Sequence, residues 1–246
     1  YIGAVRGYYS LPDGRMASVP FNSSTATMWY NKDAFAKAGL DPEKAPATWQ
    51  EVVAAAKALK AKDAAEIPMT TSWFSWVQME QYSALHNLPF ATKANGFEGL
   101  DTELSFNSKN HAKHLDRLLA LSKDGAFKYS GRDNAPDPLF LSGKVGIQFN
   151  SSAARGDIVK NAQFKWGMAM LPFDPEIAKT PLNSIIGGAS LWTMTAPNRT
   201  AAEYKAVATF LAFIAKPEND AYWHQHTGYV CVTNAGYEQT KKDGYY

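Results

Sequence analysis

The chain has 246 residues, 46% of them hydrophobic and 20% charged, so it is long enough to bury a sizeable core and too apolar to be disordered. Its formal net charge is +2 and its longest basic run is Lys241-Lys242, which excludes a nucleic-acid binder that works through a basic patch. The single cysteine, Cys231, excludes an internal disulfide and a cysteine metal site, and no stretch approaches the roughly 18–20 apolar residues of a membrane helix.

Residues 1–15 read as a polar, aromatic lead-in that ends in a turn at Pro12-Asp13-Gly14. Strands are expected at 16–21 and 25–30, parted by a polar break at Asn22-Ser23-Ser24. A short helix over 33–38 is stopped by Gly39. Thr48-Trp49-Gln50-Glu51 is a capping box, and its helix runs to about Lys62. A buried strand at 67–70 precedes an aromatic, amphipathic segment at 73–86, helical from about Ser75. Asn107-Ser108 caps a helix that reaches Lys123 and stops at Gly125. Leu115, Leu118, Leu119 and Leu121 are expected on its core face, and His111 and His114 on its solvated face.

A short helix at 137–142, a strand at 144–149, a helix at 152–161 and a strand at 164–170 follow. Residues 185–194 read as a buried strand interrupted by Gly187-Gly188. A second capping box, Thr200 to Glu203, opens a helix to about Ala215; Pro217 opens another to His226, and a last helix begins at Asn234. Strands alternate with helices throughout, so the class is α/β.

Five constellations carry possible chemistry. Asn22-Ser23-Ser24 offers hydroxyls and backbone N–H groups suited to phosphate or to hydroxyls; an ordinary Ser or Asx turn reads the same. Trp73 and Trp76 stand three apart, so on a helix their indoles share one face and offer a flat apolar surface to C–H groups; core packing is the commoner fate of such a pair. Asn150-Ser151-Ser152 sits where a strand meets a helix, whose N-terminus favours an anion; plain N-capping is compatible with that. Gly187-Gly188 permits a ligand or a neighbouring strand to come close to the backbone. Thr227-Gly228-Tyr229 follows a helix, with Gly228 as its terminator and the Tyr229 hydroxyl free for a ligand or for loop packing.

No catalytic group is expected. The sequence holds no GxSxG, HExxH or P-loop motif and no evident carboxylate dyad. The histidines at 111 and 114, and at 224 and 226, lack a third ligand at metal spacing. An enzyme needs a general acid and base or a metal. Catalytic residues, metal and cofactor are therefore all read as none.

The same stretches occur in a familiar order. VPFNSST at 19–25, WYNKDAFAKAGLDPE at 29–43 and TWQE at 48–51 resemble the family 1 extracellular solute-binding proteins. SWFSWVQME at 72–80, NLPFATKANGF at 87–97, IIGGASLW at 185–192 and WHQHTGY at 223–229 are similar to the glycerol-3-phosphate-binding members of that family. The resemblance implies an α/β, two-lobed periplasmic binding protein fold of type II, incomplete in this chain. It places residues 1–20 at the end of the first lobe and the crossover, 21–185 in most of the second lobe, and 186–246 in the return to the first. It implies a ligand cleft between the lobes. Ser24, Ser151, Gly188 and Tyr229 match the family's ligand contacts, and Trp73 and Trp76 match the aromatic pair that packs on the glycerol part. The family's other contacts, a Tyr and a Glu before Tyr1 and an Arg after Tyr246, fall outside the chain. Val230-Cys231-Val232 departs from the family pattern.

The resemblance further implies the substrate-binding component of an ABC transporter, exported to the periplasm. Its ligand would be sn-glycerol 3-phosphate or a glycerophosphodiester, and its partners the membrane permease subunits, with no nucleic acid and no membrane insertion. A maltose-type sugar-binding protein is the alternative.

Overall fold

The structure is a computed structural model that describes residues 1–246. In chain order the elements are α1 (Gly3–Tyr8), β1 (Val19–Asn31), α2 (Lys32–Lys37), α3 (Trp49–Ala61), β2 (Ile67–Thr71), a π-helical segment (Ser75–Glu80) that continues into α4 (Gln81–Leu85), the single turn α5 (Thr92–Asn95), α6 (Lys109–Lys123), α7 (Asp137–Leu141), β3 (Val145–Ser151), a 3-10 turn (Ser152–Ala154) leading into α8 (Arg155–Asn161), β4 (Trp166–Ala169), β5 (Ile186–Leu191), α9 (Ala201–Ile214), α10 (Pro217–Thr227) and α11 (Asn234–Lys242). They fall into two compact units, one of residues 1–25 with 186–246, the other of residues 26–185. No helix is long and apolar enough to cross a membrane.

The unit of residues 26–185 is built on four strands in the order β2-β3-β1-β4. β2 and β3 run parallel, while β1 is antiparallel to both β3 and β4. Alternation along β1 sends Met28 and Tyr30 into one apolar cluster and Trp29 into the other. The first cluster takes Met69, Ile147 and Phe149 from the sheet, Val52, Ala56 and Leu59 from α3, and Leu118 and Leu121 from α6. The second joins Trp29, Ile67 and Val145 to Phe140 and Ile158. Both faces of the sheet are thus covered, which is why these strands are apolar without a break. The capping box of α3 is present, with Thr48 Oγ1 accepting from Glu51 N–H and the Glu51 carboxylate accepting from Thr48 N–H.

Three expectations are corrected in this unit. The strands expected at 16–21 and 25–30 are one strand, β1, and Asn22-Ser23-Ser24 lies inside it. Strand pairing satisfies the backbone there and overrides the turn preference of Asn and Ser. In α6, Leu115 and Leu119 are exposed, whereas His111 and His114 are buried with Leu118 and Leu121. Positions 111, 114, 118 and 121 are three or four apart and form one stripe; 115 and 119 lie off it. The histidines enter the core because their ring nitrogens are all engaged. His111 meets Ser83 Oγ at 2.8 Å and Ser108 Oγ at 2.7 Å. His114 meets Gln78 Oε1 at 3.1 Å and Arg117 Nη1 at 3.1 Å. Ser108 therefore spends its hydroxyl on His111 rather than on a backbone cap. Finally, the helix after Trp73 opens as a π-helix, not an α-helix.

The other unit pairs the first half of β1 with β5, antiparallel, with a register shift between Pro20 and Asn22. Around this ribbon stand α1, α9, α10 and α11. Asp220 organises its end: the carboxylate accepts from Val232 N–H (3.0 Å), Thr233 N–H (2.9 Å) and Thr233 Oγ1–H (2.7 Å). The lead-in contains a helix, α1, that apolar periodicity does not mark; of its residues only Val5 is buried. β5 is half-buried to exposed rather than the buried strand expected, and α9 buries no residue at all despite a complete capping box.

Candidate functional site

The six candidate residues divide evenly. Trp73, Trp76 and Ser151 belong to the unit of residues 26–185; Ser24, Gly188 and Tyr229 belong to the other.

In the first set, Trp73 and Ser151 stand at the C-terminal ends of two neighbouring parallel strands, β2 and β3. Such strand ends are where open α/β sheets hold ligands. Ser72 N–H bonds Phe149 O at 2.8 Å, which continues the ladder up to the two candidates. The buried Asp137 then ties the strand ends together. Its Oδ1 accepts from Ser72 Oγ–H (2.9 Å), Gln148 Nε2–H (2.8 Å) and Asn150 Nδ2–H (2.8 Å). Burial pushes the Asp137 carboxyl above its ordinary range, and the three hydrogen bonds oppose that shift. Asn150 passes the restraint on, because its Oδ1 accepts from Ser151 N–H at 2.7 Å.

Trp73 does not share a helical face with Trp76, since it precedes the π-helix and has φ +48°. A left-handed conformation in a bulky residue costs on the order of 1–3 kcal/mol and persists where the surroundings over-determine it. Here Trp73 N–H bonds Asp133 O at 2.9 Å and Trp73 O accepts from Val77 N–H at 2.9 Å. The indole is left 39% exposed, an apolar face turned out of the core. Trp76 is half-buried against the main cluster, and its Nε1–H is buried without a hydrogen-bond partner. Ser151 caps a 3-10 turn, accepting from Ala153 N–H at 3.1 Å. The full helix whose N-terminus was expected to attract an anion starts later, at Arg155.

The second set converges on Ser23. Ser23 pairs with Gly188 across the β1–β5 ribbon and Ser24 with Gly187. On the other side, Val230 N–H bonds Ser23 O at 2.7 Å, which brings Tyr229 alongside. Gly188 has φ +119°, and a Cβ there would lie 1.9 Å from Asn22 O. The close approach foreseen for Gly187-Gly188 is thus made at least by a neighbouring strand. Gly228 ends α10 in the left-handed conformation, as its spacing predicts. Tyr229 stacks on Trp223, with centroids 6.4 Å apart and planes 12° apart. Its carbonyl meets His224 Nδ1 at 2.6 Å.

Sequence reasoning missed Asp137 and the segment 129–133. An Asp at the first turn of a short helix looks like any cap, and only the sheet brings Ser72, Gln148 and Asn150 to it. Left-handed Asp133 carries the faint signal of an Asp-Asn pair after Gly131.

The profile of the family described as bacterial extracellular solute-binding protein matches residues 4–243. The sn-glycerol-3-phosphate-binding periplasmic protein UgpB of Pectobacterium atrosepticum is 44% identical over the whole chain, which covers 55% of that protein. The protein of the same name from Escherichia coli K12 is also 44% identical, with 56% covered. The chain therefore spans about half the length of the curated relatives it matches. Among solved structures, UgpB of Mycobacterium tuberculosis in complex with glycerophosphocholine superposes with TM-score 0.78 at 22% identity, over 100% of this chain and 58% of that one. Maltose-bound MalE3 of Thermotoga maritima gives 0.77 at 18% identity, over 100% of this chain and 61% of that one; at such identities these two show the fold alone. With the α/β architecture expected of that fold and a profile match across nearly its whole length, the chain belongs to the bacterial extracellular solute-binding proteins.

Proposed function

We propose that the protein of which this chain is part is the substrate-binding component of an ABC importer that captures sn-glycerol 3-phosphate in the periplasm and delivers it to membrane permease subunits. The observation that carries the reading is 44% identity along the entire chain to proteins named for that ligand. The candidate residues suit the task. Hydroxyls of Ser24, Ser151 and Tyr229 and the backbone N–H of Gly188 supply hydrogen bonds to ligand oxygens. Trp73 and Trp76 supply apolar surface for the carbon chain. Both sets of residues hold one ligand, and binding shifts the population toward the closed form that the permease reads. The ligand leaves chemically unchanged, since no residue pair offers acid–base work on it.

A calorimetric titration of the full-length protein with sn-glycerol 3-phosphate, with maltose as control, tests this. Tight binding of the phosphate and none of the sugar is expected. Binding of maltose alone would overturn the ligand and keep the family.

A further inference from the structure

A cavity of about 480 Å³ opens in the unit of residues 26–185, lined by Trp73, Phe74, Ser75, Tyr129, Arg132 and Asp133. Two segments form it, the one after β2 and the one at 129–133, and the bond from Trp73 N–H to Asp133 O locks them together. Both residues of that lock have left-handed backbones, at φ +48° and +51°. The shape of the cavity is therefore held against a local conformational preference. Phe74 and Tyr129 meet edge to face, with centroids 5.9 Å apart. Tyr129 remains 50% exposed and Trp73 39%.

Arg132 and Asp133 are exposed neighbours. Neither side chain makes an ion pair or a hydrogen bond within the protein. The cavity thus presents aromatic faces, one uncommitted cation and one uncommitted anion. Aromatic faces recognise an alkylated ammonium, and a carboxylate beside them strengthens that preference. A guanidinium recognises phosphate oxygens. A group with a phosphate and an ammonium on a short tether satisfies both.

We infer that this cavity is a subsite for the ammonium-bearing alcohol of a glycerophosphodiester, with Trp73, Tyr129 and Asp133 around the ammonium and Arg132 beside the phosphate. The inference rests on the function proposed above, because Trp73 is the wall shared between the glycerol part and this cavity.

The test titrates the full-length protein and its Tyr129→Leu and Asp133→Asn variants with three probes: sn-glycerol 3-phosphate, glycerophosphocholine and glycerophosphoglycerol. Asn tolerates the left-handed backbone at 133, and an unchanged affinity for the monoester shows that a variant is folded. Both substitutions are expected to weaken glycerophosphocholine about tenfold and to leave sn-glycerol 3-phosphate within about twofold. Asp133→Asn should also spare glycerophosphoglycerol, whose alcohol is uncharged. Equal losses for the three probes, or no loss for any, overturn the subsite. Wild-type protein that binds the monoester but not glycerophosphocholine overturns the subsite and leaves the proposed function standing. Wild-type protein that binds none of the probes overturns both.

Discussion

At Asp137 a single carboxylate oxygen meets three donors, two of which sit next to candidate ligand residues. Asp137→Ala leaves those donors facing a small void. A buried unpaired donor costs about 1–3 kcal/mol, so thermal melts of the variant should show a loss on the order of 3 kcal/mol, with weaker ligand binding in parallel. A variant that melts and binds like wild type would mean that Asp137 does not organise the strand ends. Titration gives a second test. Burial, and then the nearby Arg117 guanidinium, push the His114 imidazole down to about 3. Burial likewise lowers His86 and His111. Below the ordinary histidine value of 6.5 the unfolded chain takes up protons that the folded chain refuses, so stability falls as pH falls. For His114 the loss begins near pH 6.5 and continues toward pH 3, at about 1.4 kcal/mol per pH unit once under way. Urea unfolding at pH 7 and pH 5 should show it, and His114→Gln should flatten the slope. The sequence marked these histidines as polar and hence solvated. Their burial depends on Ser83, Ser108, Gln78 and Arg117, partners that only the packed core assembles.

Elements were legible where a local rule acts alone. Both capping boxes, at Thr48 and Thr200, form as their spacing predicts. Thr48→Ala should cost about 1 kcal/mol, read from the urea midpoint, because α3 buries Trp49, Val52, Ala56 and Leu59 against the sheet. No change would mean that the Glu51 half of the box holds the helix start unaided. Where a partner decides, the reading failed. Asn22-Ser23-Ser24 looks like a break because its residues favour turns, yet pairing with β5 keeps it extended. α6 was misjudged because four leucines outweighed the three- and four-residue spacing that actually defines its buried stripe.

For the molecule as a whole, burial is uneven. Both apolar clusters lie within residues 26–185. In the other unit α9 buries nothing, and Phe210 and Phe213 are 55% and 54% exposed beside a largely apolar cavity of about 490 Å³. Regions with few buried apolar contacts open at low free energy. Amide hydrogen exchange on the chain of residues 1–246 should therefore be faster in α9 than in α3. Equal protection would show that α9 is covered in solution, for instance by a second copy. The chain's span of about half its curated relatives fits an apolar surface of this kind.

The amino-acid order by itself determined the α/β class, most helix starts, the glycine stops and the family resemblance, because caps, left-handed terminators and short motifs act over a few neighbouring residues. The tertiary structure decided what depends on distant partners. It put His111 and His114 in the core, made β1 continuous, gave Trp73 a strained backbone locked to Asp133, and gathered Ser72, Gln148 and Asn150 around Asp137. Hydrogen bonds between residues far apart in sequence, and the burial that makes them obligatory, leave no periodic trace in the chain that makes them.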